Sequence, residues 1–217
     1  MREIFIRAGT ALLSDIFDTM GLTPPILAVE FWPVPGPEPS FAGPAYTIRG
    51  RWQPWEGGGD REKLAAIDGI PEGAVPVWAG GDIHGVCCFG DLLAQAMNLR
   101  GAAGVVVDGG VRDLAFLKSL PMPIFTRYRT PAQAIGRWRV EGVGQEVALP
   151  GGLAPRVMVR PGDWVVGDED GLLVIPRDLA EEVAQKAGEA LEKESAAREA
   201  IRRGMSLLEA LDTFGHL

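Results

Sequence analysis

Two pairs of residues stand twenty residues apart in the middle of the chain and combine groups that bind an anion and a metal ion. The pairs are Gly90-Asp91 and Arg112-Asp113. A guanidinium suits a carboxylate because its N–H groups form two parallel hydrogen bonds with the two oxygens. One or two carboxylates commonly hold a hard cation such as Mg²⁺, which can polarise a carbonyl and stabilise an enolate. The pattern therefore indicates a site for a 2-oxo acid.

The neighbouring sequence predicts two elements that would bring these pairs together. Residues 91–101 carry apolar side chains at helical spacing and end in glycine, and the valine-rich segment 104–108 predicts a buried strand. The first turn of a helix offers unpaired N–H groups and a partial positive charge, and Gly90 would let a ligand approach the backbone closely. If helix and strand return the chain to one end, Arg112 lies near that helix N-terminus.

A structural interpretation of the same residues is also open. Gly-Asp occurs five times in the chain, mostly at expected turns, so one further copy carries little information. An Arg-Asp pair at the start of a helix is common because the aspartate can cap that helix. Spacing alone leaves the metal site and the structural cap as alternatives.

The bulk composition limits the classes of protein to consider. With 217 residues and 47% hydrophobic residues, the chain can bury one sizeable domain. No apolar run reaches the roughly 18 residues of a membrane span, and no signal peptide is evident, so we expect a cytoplasmic protein. The net charge of −8 argues against binding to nucleic acid. Cys87 and Cys88 are adjacent, so we expect buried free thiols rather than a disulfide or zinc site.

The rest of the chain predicts an α/β protein with a mostly β core. An amphipathic helix is expected over 11–21 and a strand over 43–50. Three short strands separated by turns, over 157–176, are typical of a β-meander. A long helix is expected over 178–202, with Asp178 as its N-cap and Glu181 as the capping-box partner.

The sequence resembles the RraA-like family, which holds the ribonuclease E activity regulator A and class II 4-hydroxy-4-methyl-2-oxoglutarate / 4-carboxy-4-hydroxy-2-oxoadipate aldolases. SDIFDTMG resembles the family's opening helix, GPAYTIRG its first core strand, GDLLAQAMNLRGAAGVVVDGGVRD its central signature, and PGDWVVGDEDGLLVIP its closing strands. The resemblance implies a β/β/α swivelling-domain fold with an N-terminal helix and a long C-terminal helix. It also implies homotrimers or homohexamers with active sites between subunits. We expect the family domain over 1–176 and a helical extension over 177–217 that packs on the core or on a neighbouring subunit.

The resemblance further implies a magnesium- or manganese-dependent lyase that releases pyruvate by retro-aldol cleavage, with decarboxylation of oxaloacetate as a related reaction. Its substrate would be a small anionic 2-oxo acid, and neither nucleic acid nor a membrane would be a partner. The implied substrate-binding residues are Gly90, Asp91, Leu92, Leu93 and Arg112, and the implied metal ligand is Asp113. The implied catalytic residues are Asp91, on the metal's water shell, Arg112, which stabilises the enolate, and Glu194 from a neighbouring subunit, with Glu192 and Glu199 as alternatives.

Two further possibilities accompany this interpretation. A non-catalytic, protein-binding regulator of ribonuclease is the alternative function, because the family takes its name from that role. His84, six residues before Gly90, is a second candidate base because histidine titrates near neutrality. His216 lies at the end of the chain, where we expect fraying.

Overall fold

A computed structural model describes residues 1–36, 38–56, 58–81 and 83–215. Asp82, part of one Gly-Asp pair, and His216 therefore lie outside the described residues. The structure confirms an α/β protein with a mostly β core, an N-terminal helix and a long C-terminal helix. In the described part of the chain, no helix combines the length and apolar composition needed to cross a membrane.

The described residues form six α-helices and eleven strands. The helices are α1 Arg2–Thr19, α2 Arg61–Asp68, α3 Asp91–Leu99, α4 Leu114–Leu117, α5 Ala180–Arg202 and α6 Leu207–Phe214. The strands are β1 Trp32–Pro33, β2 Phe41–Trp52, β3 Val75–Ala79, β4 Cys87–Phe89, β5 Val105–Val111, β6 Ile124–Arg129, β7 Trp138–Val143, β8 Val147–Pro150, β9 Arg156–Val159, β10 Trp164–Asp168 and β11 Gly171–Ile175.

Nine of the strands form one sheet in the order β1-β6-β5-β3-β2-β10-β11, with β4 paired to β5 and β7 paired to β2. The central strands β2, β3, β5 and β6 run parallel. Every residue of β3 and of β5 is buried, as expected for parallel strands that are covered on both faces. This buried centre provides a rigid base for the loops at its carboxyl end.

Helices cover the sheet through separate apolar clusters. One cluster joins α2, α3 and α4 to the sheet around Trp78 and Trp138, whose ring centroids are 6.4 Å apart. A second joins α1 to β10, β11 and the first half of α5, where Val183 and Ala187 are fully buried. The first half of α5 therefore packs on the core of its own chain, while the division between residues 176 and 177 and the packing of the extension on a neighbouring subunit stay predictions.

The N-terminal helix is longer than predicted because a first helical segment precedes the predicted one, whose start is capped by the last residue of β10. α1 begins at Arg2 and bends at Gly9, which has φ +70°. Beyond the bend, the backbone N–H and hydroxyl of Thr10 donate to the two carboxylate oxygens of Asp168 at 2.6 and 2.7 Å. The Asp168 side chain thus restarts the helix by accepting bonds from its exposed donor groups.

Two local predictions at the C-terminal end are wrong. Residues Arg177–Leu179 form a 3₁₀ turn, so α5 begins at Ala180, and its N-cap, Leu179, makes no side-chain hydrogen bond. A complete capping box occurs instead at α6, between Ser206 and Glu209. The β-meander is also wrong, because β9 pairs with β8 in a separate ribbon while β10 pairs with β2 and β11.

The glycine-rich segment before α3 contains a strand that the sequence did not predict. Cys87, Cys88 and Phe89 form β4, which pairs in parallel with β5. Both cysteines are free and buried, as expected. Burial raises the pKa of the Cys88 thiol to about 12 and raises that of Cys87.

The native thiols are accordingly expected to react at least tenfold more slowly with iodoacetamide at pH 8 than those of the unfolded chain. The thiolate is the reactive species, and a raised pKa reduces its population. Alkylation followed by mass spectrometry, with and without guanidinium chloride, measures the ratio. Equal rates in the two states would show that neither thiol is protected.

Candidate functional site

The two predicted residue pairs meet at the carboxyl end of the parallel sheet. β4 and β5 are parallel neighbours, so the residues that follow them, Gly90 and Arg112, emerge at the same edge. The backbone N–H of Arg112 donates to the carbonyl of Phe89 at 3.2 Å and joins the two segments directly. The structure therefore brings together the N-terminus of α3 and the Arg112-Asp113 pair, as the sequence predicted.

Asp113 occupies an unusual backbone conformation. With φ 59° and ψ 41°, it lies in the left-handed region and is the sole non-glycine residue with positive φ in the described chain. This region disfavours most L-residues but tolerates Asp and Asn more readily. Although Asp113 precedes α4, its side chain does not cap that helix. The simple N-cap interpretation of Asp113 is therefore wrong.

The Asp113 carboxylate instead contacts the other helix and its own neighbour. Its Oδ2 accepts a hydrogen bond from the backbone N–H of Asp91 at 3.1 Å and lies 3.4 Å from Nε of Arg112. Both side chains of the pair are 39% exposed, so they are open to a ligand. The left-handed backbone thus turns Asp113 back across the start of α3 rather than along α4.

Gly90 is required at this point because the space for a side chain is already filled. A Cβ atom there would overlap Oδ2 of Asp113 and lie 3.0 Å from Cγ and Nε of Arg112. The sequence predicts that glycine at this position lets a ligand approach the backbone. The structure adds that glycine admits the protein's own Arg112-Asp113 pair.

Carboxylates of the protein already occupy part of the first turn of α3. The N–H of Asp91 binds Asp113, and the N–H of Leu92 donates to Oδ1 of Asp91 at 2.7 Å. These contacts show the affinity of a helix N-terminus for carboxylate oxygens. Two of the four amides predicted for substrate thus have side-chain partners, which a substrate carboxylate would have to replace.

A cavity of about 220 Å³ opens beside this cluster. The predicted substrate-binding residues all line it, together with Lys63, Cys87, Cys88, Phe89 and Ala134. Three apolar side chains at its mouth are strongly exposed, namely Leu64 (51%), Leu92 (74%) and Ile135 (41%). The cavity therefore combines cations and helix amides with an apolar rim.

The donor set suits a hard cation that keeps most of its water. Asp113 Oδ2 and Asp91 Oδ1 bind amides, whereas the second oxygen of each carboxylate accepts no hydrogen bond from any described residue. In the described chain, no group of three or more His, Cys, Asp or Glu side chains is placed to hold a metal. Mg²⁺ needs only one or two carboxylates when water and substrate complete its shell. The residues present thus fit magnesium or manganese and not a fully protein-ligated ion.

Glu194 is not brought to this cavity within one chain. It lies on α5, forms an ion pair with Arg198, and lines a separate groove between α1 and α5 that shares no residue with the cavity. Its candidate replacements are also on α5, where Glu199 pairs with Arg203 at 2.9 Å. Any contribution from Glu194 would come from another subunit and stays a prediction.

The structure adds a residue that the sequence analysis missed, Lys63 of α2. Its side chain is only 6% exposed, yet it lines the cavity. Within the charged run Arg-Glu-Lys, this lysine looks like part of a solvated face. The missed signal is spacing, because Lys63 lies three and four residues before the buried Ala66 and Ile67, on the same face of the helix.

His84 and Asp108 both lie outside the lining of the cavity. His84 is exposed and does not line the cavity. Asp108, which precedes the glycines of β5, is buried and binds Arg127 at 3.0 Å.

Comparisons with known proteins show which proteins this chain is similar to. The model of the RraA-like family, described as Aldolase/RraA, matches residues 10–174. A Halalkalibacterium halodurans protein named "Putative 4-hydroxy-4-methyl-2-oxoglutarate aldolase" is 37% identical over 65% of this chain, which spans only 62% of that relative's length. A Thermus thermophilus protein named 4-hydroxy-4-methyl-2-oxoglutarate aldolase is 32% identical over 79% of this chain and 94% of its own.

A solved structure shares the fold over most of its length. Streptomyces coelicolor RraAS2, described as an unusual member of the RNase ES inhibitor RraA family, superposes with a TM-score of 0.76 at 25% identity. The match covers 90% of this chain and 94% of RraAS2. This chain is thus similar in sequence to relatives with aldolase names and similar in fold to a relative with an inhibitor name.

Proposed function

The chain belongs to the RraA-like (Aldolase/RraA) family, and from this premise we propose that it is a divalent-metal-dependent lyase. Its substrate is a 4-hydroxy-2-oxo acid, which it cleaves by a retro-aldol reaction to release pyruvate. The observation that carries this proposal is the cluster at the start of α3, where Asp113 Oδ2 lies 3.1 Å from the Asp91 amide and 3.4 Å from Arg112 Nε. A cap for α4 would not need this arrangement.

The carboxylate next to the 2-oxo group binds between Arg112 and the first-turn amides of α3. The guanidinium fork matches a carboxylate, and the helix N-terminus adds unpaired donors and positive potential. The same amides bind the carboxylates of Asp91 and Asp113 in the structure. The pyruvyl end of the substrate is thereby oriented with its carbonyl beside Asp113.

Asp113 would hold Mg²⁺ or Mn²⁺, and Asp91 would bind water on that ion. When bound, the ion supplies Lewis-acid stabilisation of negative charge on the 2-oxo oxygen. Arg112 contributes a second positive charge, on a guanidinium that can bind the substrate carboxylate. The two neighbours therefore have different roles: Asp113 binds the cation and Arg112 binds the carboxylate.

Cleavage then requires one base and one proton donor. A base removes the proton of the C4 hydroxyl, the C3–C4 bond breaks, and its electron pair passes to C3 to form the enolate of pyruvate. Asp91, acting through the metal's water shell, would be the group of this chain that takes part in the proton transfer. Return of a proton to C3 yields pyruvate, and the C4 fragment leaves as a carbonyl compound.

The complete site is proposed to form between subunits of a homotrimer or homohexamer. Within one chain, Glu194 lies in the groove between α1 and α5, and the cavity mouth carries exposed leucine and isoleucine side chains. A neighbouring subunit that covers this mouth would exclude water and bring its own Glu194 to the water network.

A protein-binding regulator of ribonuclease is the second candidate. It is favoured by the fold shared with RraAS2 over nine tenths of both chains. A binding surface has no need for the Arg112-Asp113 cluster, so this cluster favours the lyase. The two candidates differ in metal dependence, because chelation would abolish lyase activity but leave a protein contact unaffected.

The direct test is pyruvate release coupled to lactate dehydrogenase. The panel contains 4-hydroxy-4-methyl-2-oxoglutarate, 4-carboxy-4-hydroxy-2-oxoadipate and oxaloacetate, each with Mg²⁺ or with EDTA. We expect release from at least one substrate and its loss with EDTA, followed by recovery when excess Mg²⁺ or Mn²⁺ is added. Folded protein that releases pyruvate from none of them, or at the same rate with EDTA, would contradict the proposal.

A further inference from the structure

Lys63, the buried lysine of the cavity, has no ion-pair partner in the described part of the chain. Nζ of Lys63 donates to the carbonyl of Cys88 at 3.0 Å and lies 5.0 Å from the centroid of the Trp138 ring. Both contacts are with neutral groups. In the described part of the chain, no carboxylate forms an ion pair with Lys63.

An acidic residue that lines the same cavity, Asp60, is already hydrogen-bonded to the backbone. Asp60, the N-cap of α2, accepts hydrogen bonds from the N–H of Lys63 at 3.1 Å and from the N–H of Val140 at 2.9 Å. These bonds use both carboxylate oxygens, one on each donor. Asp60 influences Lys63 through its charge but is not hydrogen-bonded to the ammonium.

An unpaired buried cation is costly, so a purely structural role does not explain the choice of residue. Burying an ammonium without a counter-ion is strongly unfavourable, and a leucine or methionine would fill the same face of α2 without that penalty. Burial lowers the pKa of Lys63, as expected for a group removed from water. An incoming anion would favour the charged form.

The position of Lys63 relative to Arg112 indicates how a ligand would use it. Both residues line the same cavity, but Arg112 is 39% exposed whereas Lys63 is 6% exposed. The two cations are therefore at different depths, with the apolar side chains of Phe89 and Leu93 also in the lining. A small molecule with two separated acidic groups would satisfy both cations.

We propose that Lys63 determines substrate specificity by binding a second acidic group on the C4 side of the scissile bond. This inference rests on the proposed function for the position of the first carboxylate, which binds Arg112 and α3. The carbon chain of the substrate then crosses the cavity from Arg112 to Lys63. Acids with a carboxylate on C4 are selected, and analogues with an uncharged group there are disfavoured.

The kinetic test compares two substrates that differ only in that group. They are 4-hydroxy-4-methyl-2-oxoglutarate and 4-hydroxy-4-methyl-2-oxopentanoate, which carry a carboxylate and a methyl group at the same carbon. Lys63→Met removes the charge at similar length, and Lys63→Gln keeps a donor for the Cys88 carbonyl. Lys118→Met, at an exposed lysine, is the matched control.

We expect both Lys63 variants to lower kcat/KM for the dicarboxylate by about thirtyfold or more, because removing one partner of a buried charge pair has effects of this size. The methyl analogue should change by less than about threefold. If the role of Lys63 were merely structural, its replacement would lower kcat/KM equally for both substrates. That result would overturn the proposal. Thermal unfolding of each variant checks that the fold is intact, and Lys63→Gln separates charge from the hydrogen bond.

A binding measurement separates this proposal from the lyase itself. Isothermal titration in Mg²⁺ with 2-oxoglutarate and 2-oxopentanoate, neither of which has a C4 hydroxyl to cleave, should show at least tenfold tighter binding of the diacid. The preference should disappear in both Lys63 variants. Such a preference in a protein that releases no pyruvate would support Lys63 and contradict the lyase. Equal binding of the two acids, or binding of neither, would overturn the role of Lys63 even if pyruvate is released.

Discussion

Replacing Asp113 with asparagine is expected to lower kcat/KM for pyruvate release by about a thousandfold or more. The change removes the negative charge that would hold the metal, and Lewis-acid stabilisation contributes several kcal/mol, each 1.36 kcal/mol being tenfold in rate. Asparagine keeps the size of the side chain and an oxygen that can accept the hydrogen bond from the Asp91 amide. It also tolerates the left-handed backbone at φ 59°.

This tolerance makes the substitution a test of chemistry rather than folding. The melting temperature should change by no more than a few degrees, whereas Mg²⁺ binding, measured by titration, should weaken strongly. Asp68→Asn is the control, since Asp68 is an exposed helical aspartate that pairs with Arg100 at 3.2 Å. An Asp113→Asn variant that retains activity within tenfold of wild type would refute the metal role of Asp113.

Elements that bury one regular face could be predicted from sequence. α3 shows helical periodicity and ends before a glycine, and the valines of β5 are buried along its whole length. The predicted return of both segments to one edge was also right, because parallel neighbours present their carboxyl ends together. Thus the sequence was sufficient to predict which residues form the cluster and that its two residue pairs lie close together.

The backbone and side-chain geometry within the cluster could not be predicted from the sequence. Nothing in the letters Arg-Asp says that Asp113 adopts a left-handed backbone, because that conformation is enforced by the tertiary contacts around it. β4 was missed because three residues inside a glycine-rich segment carry too little periodicity. The start of α5 was misplaced because a 3₁₀ turn and an N-cap can share the same aspartate-containing sequence.

Lys63 shows a different limit of sequence interpretation. A lysine between two other charged residues is usually solvated, and composition alone supports that expectation. Its burial is indicated only by its spacing from Ala66 and Ile67, which are buried on the same face of α2. The partner of such a cation cannot be inferred from its own helix, since Cys88 and Trp138 come from strands 25 and 75 positions further along.

Replacing Gly90 with alanine is the second change expected to have a large effect. The added methyl group would overlap Oδ2 of Asp113 and crowd Cγ and Nε of Arg112, so the side chains of both residues would have to move. A displacement of about 1 Å at a reacting centre can cost a hundredfold in rate. We therefore expect kcat/KM to fall at least a hundredfold, with a loss of about 1–3 kcal/mol in unfolding free energy from overpacking.

A second glycine-to-alanine change, at a position without a clash, separates the effect of the clash from that of the substitution itself. At Gly188, within α5, an alanine Cβ meets no atom within 4 Å, so Gly188→Ala should leave activity unchanged and raise the unfolding free energy by about 0.5–1 kcal/mol. Urea denaturation and the pyruvate assay measure both quantities for each variant. If Gly90→Ala loses stability but keeps its activity, the positions of Arg112 and Asp113 relative to α3 are not what the reaction requires. If it loses activity with an intact fold, the contact between the glycine and the Arg112-Asp113 pair is the feature that the chemistry depends on.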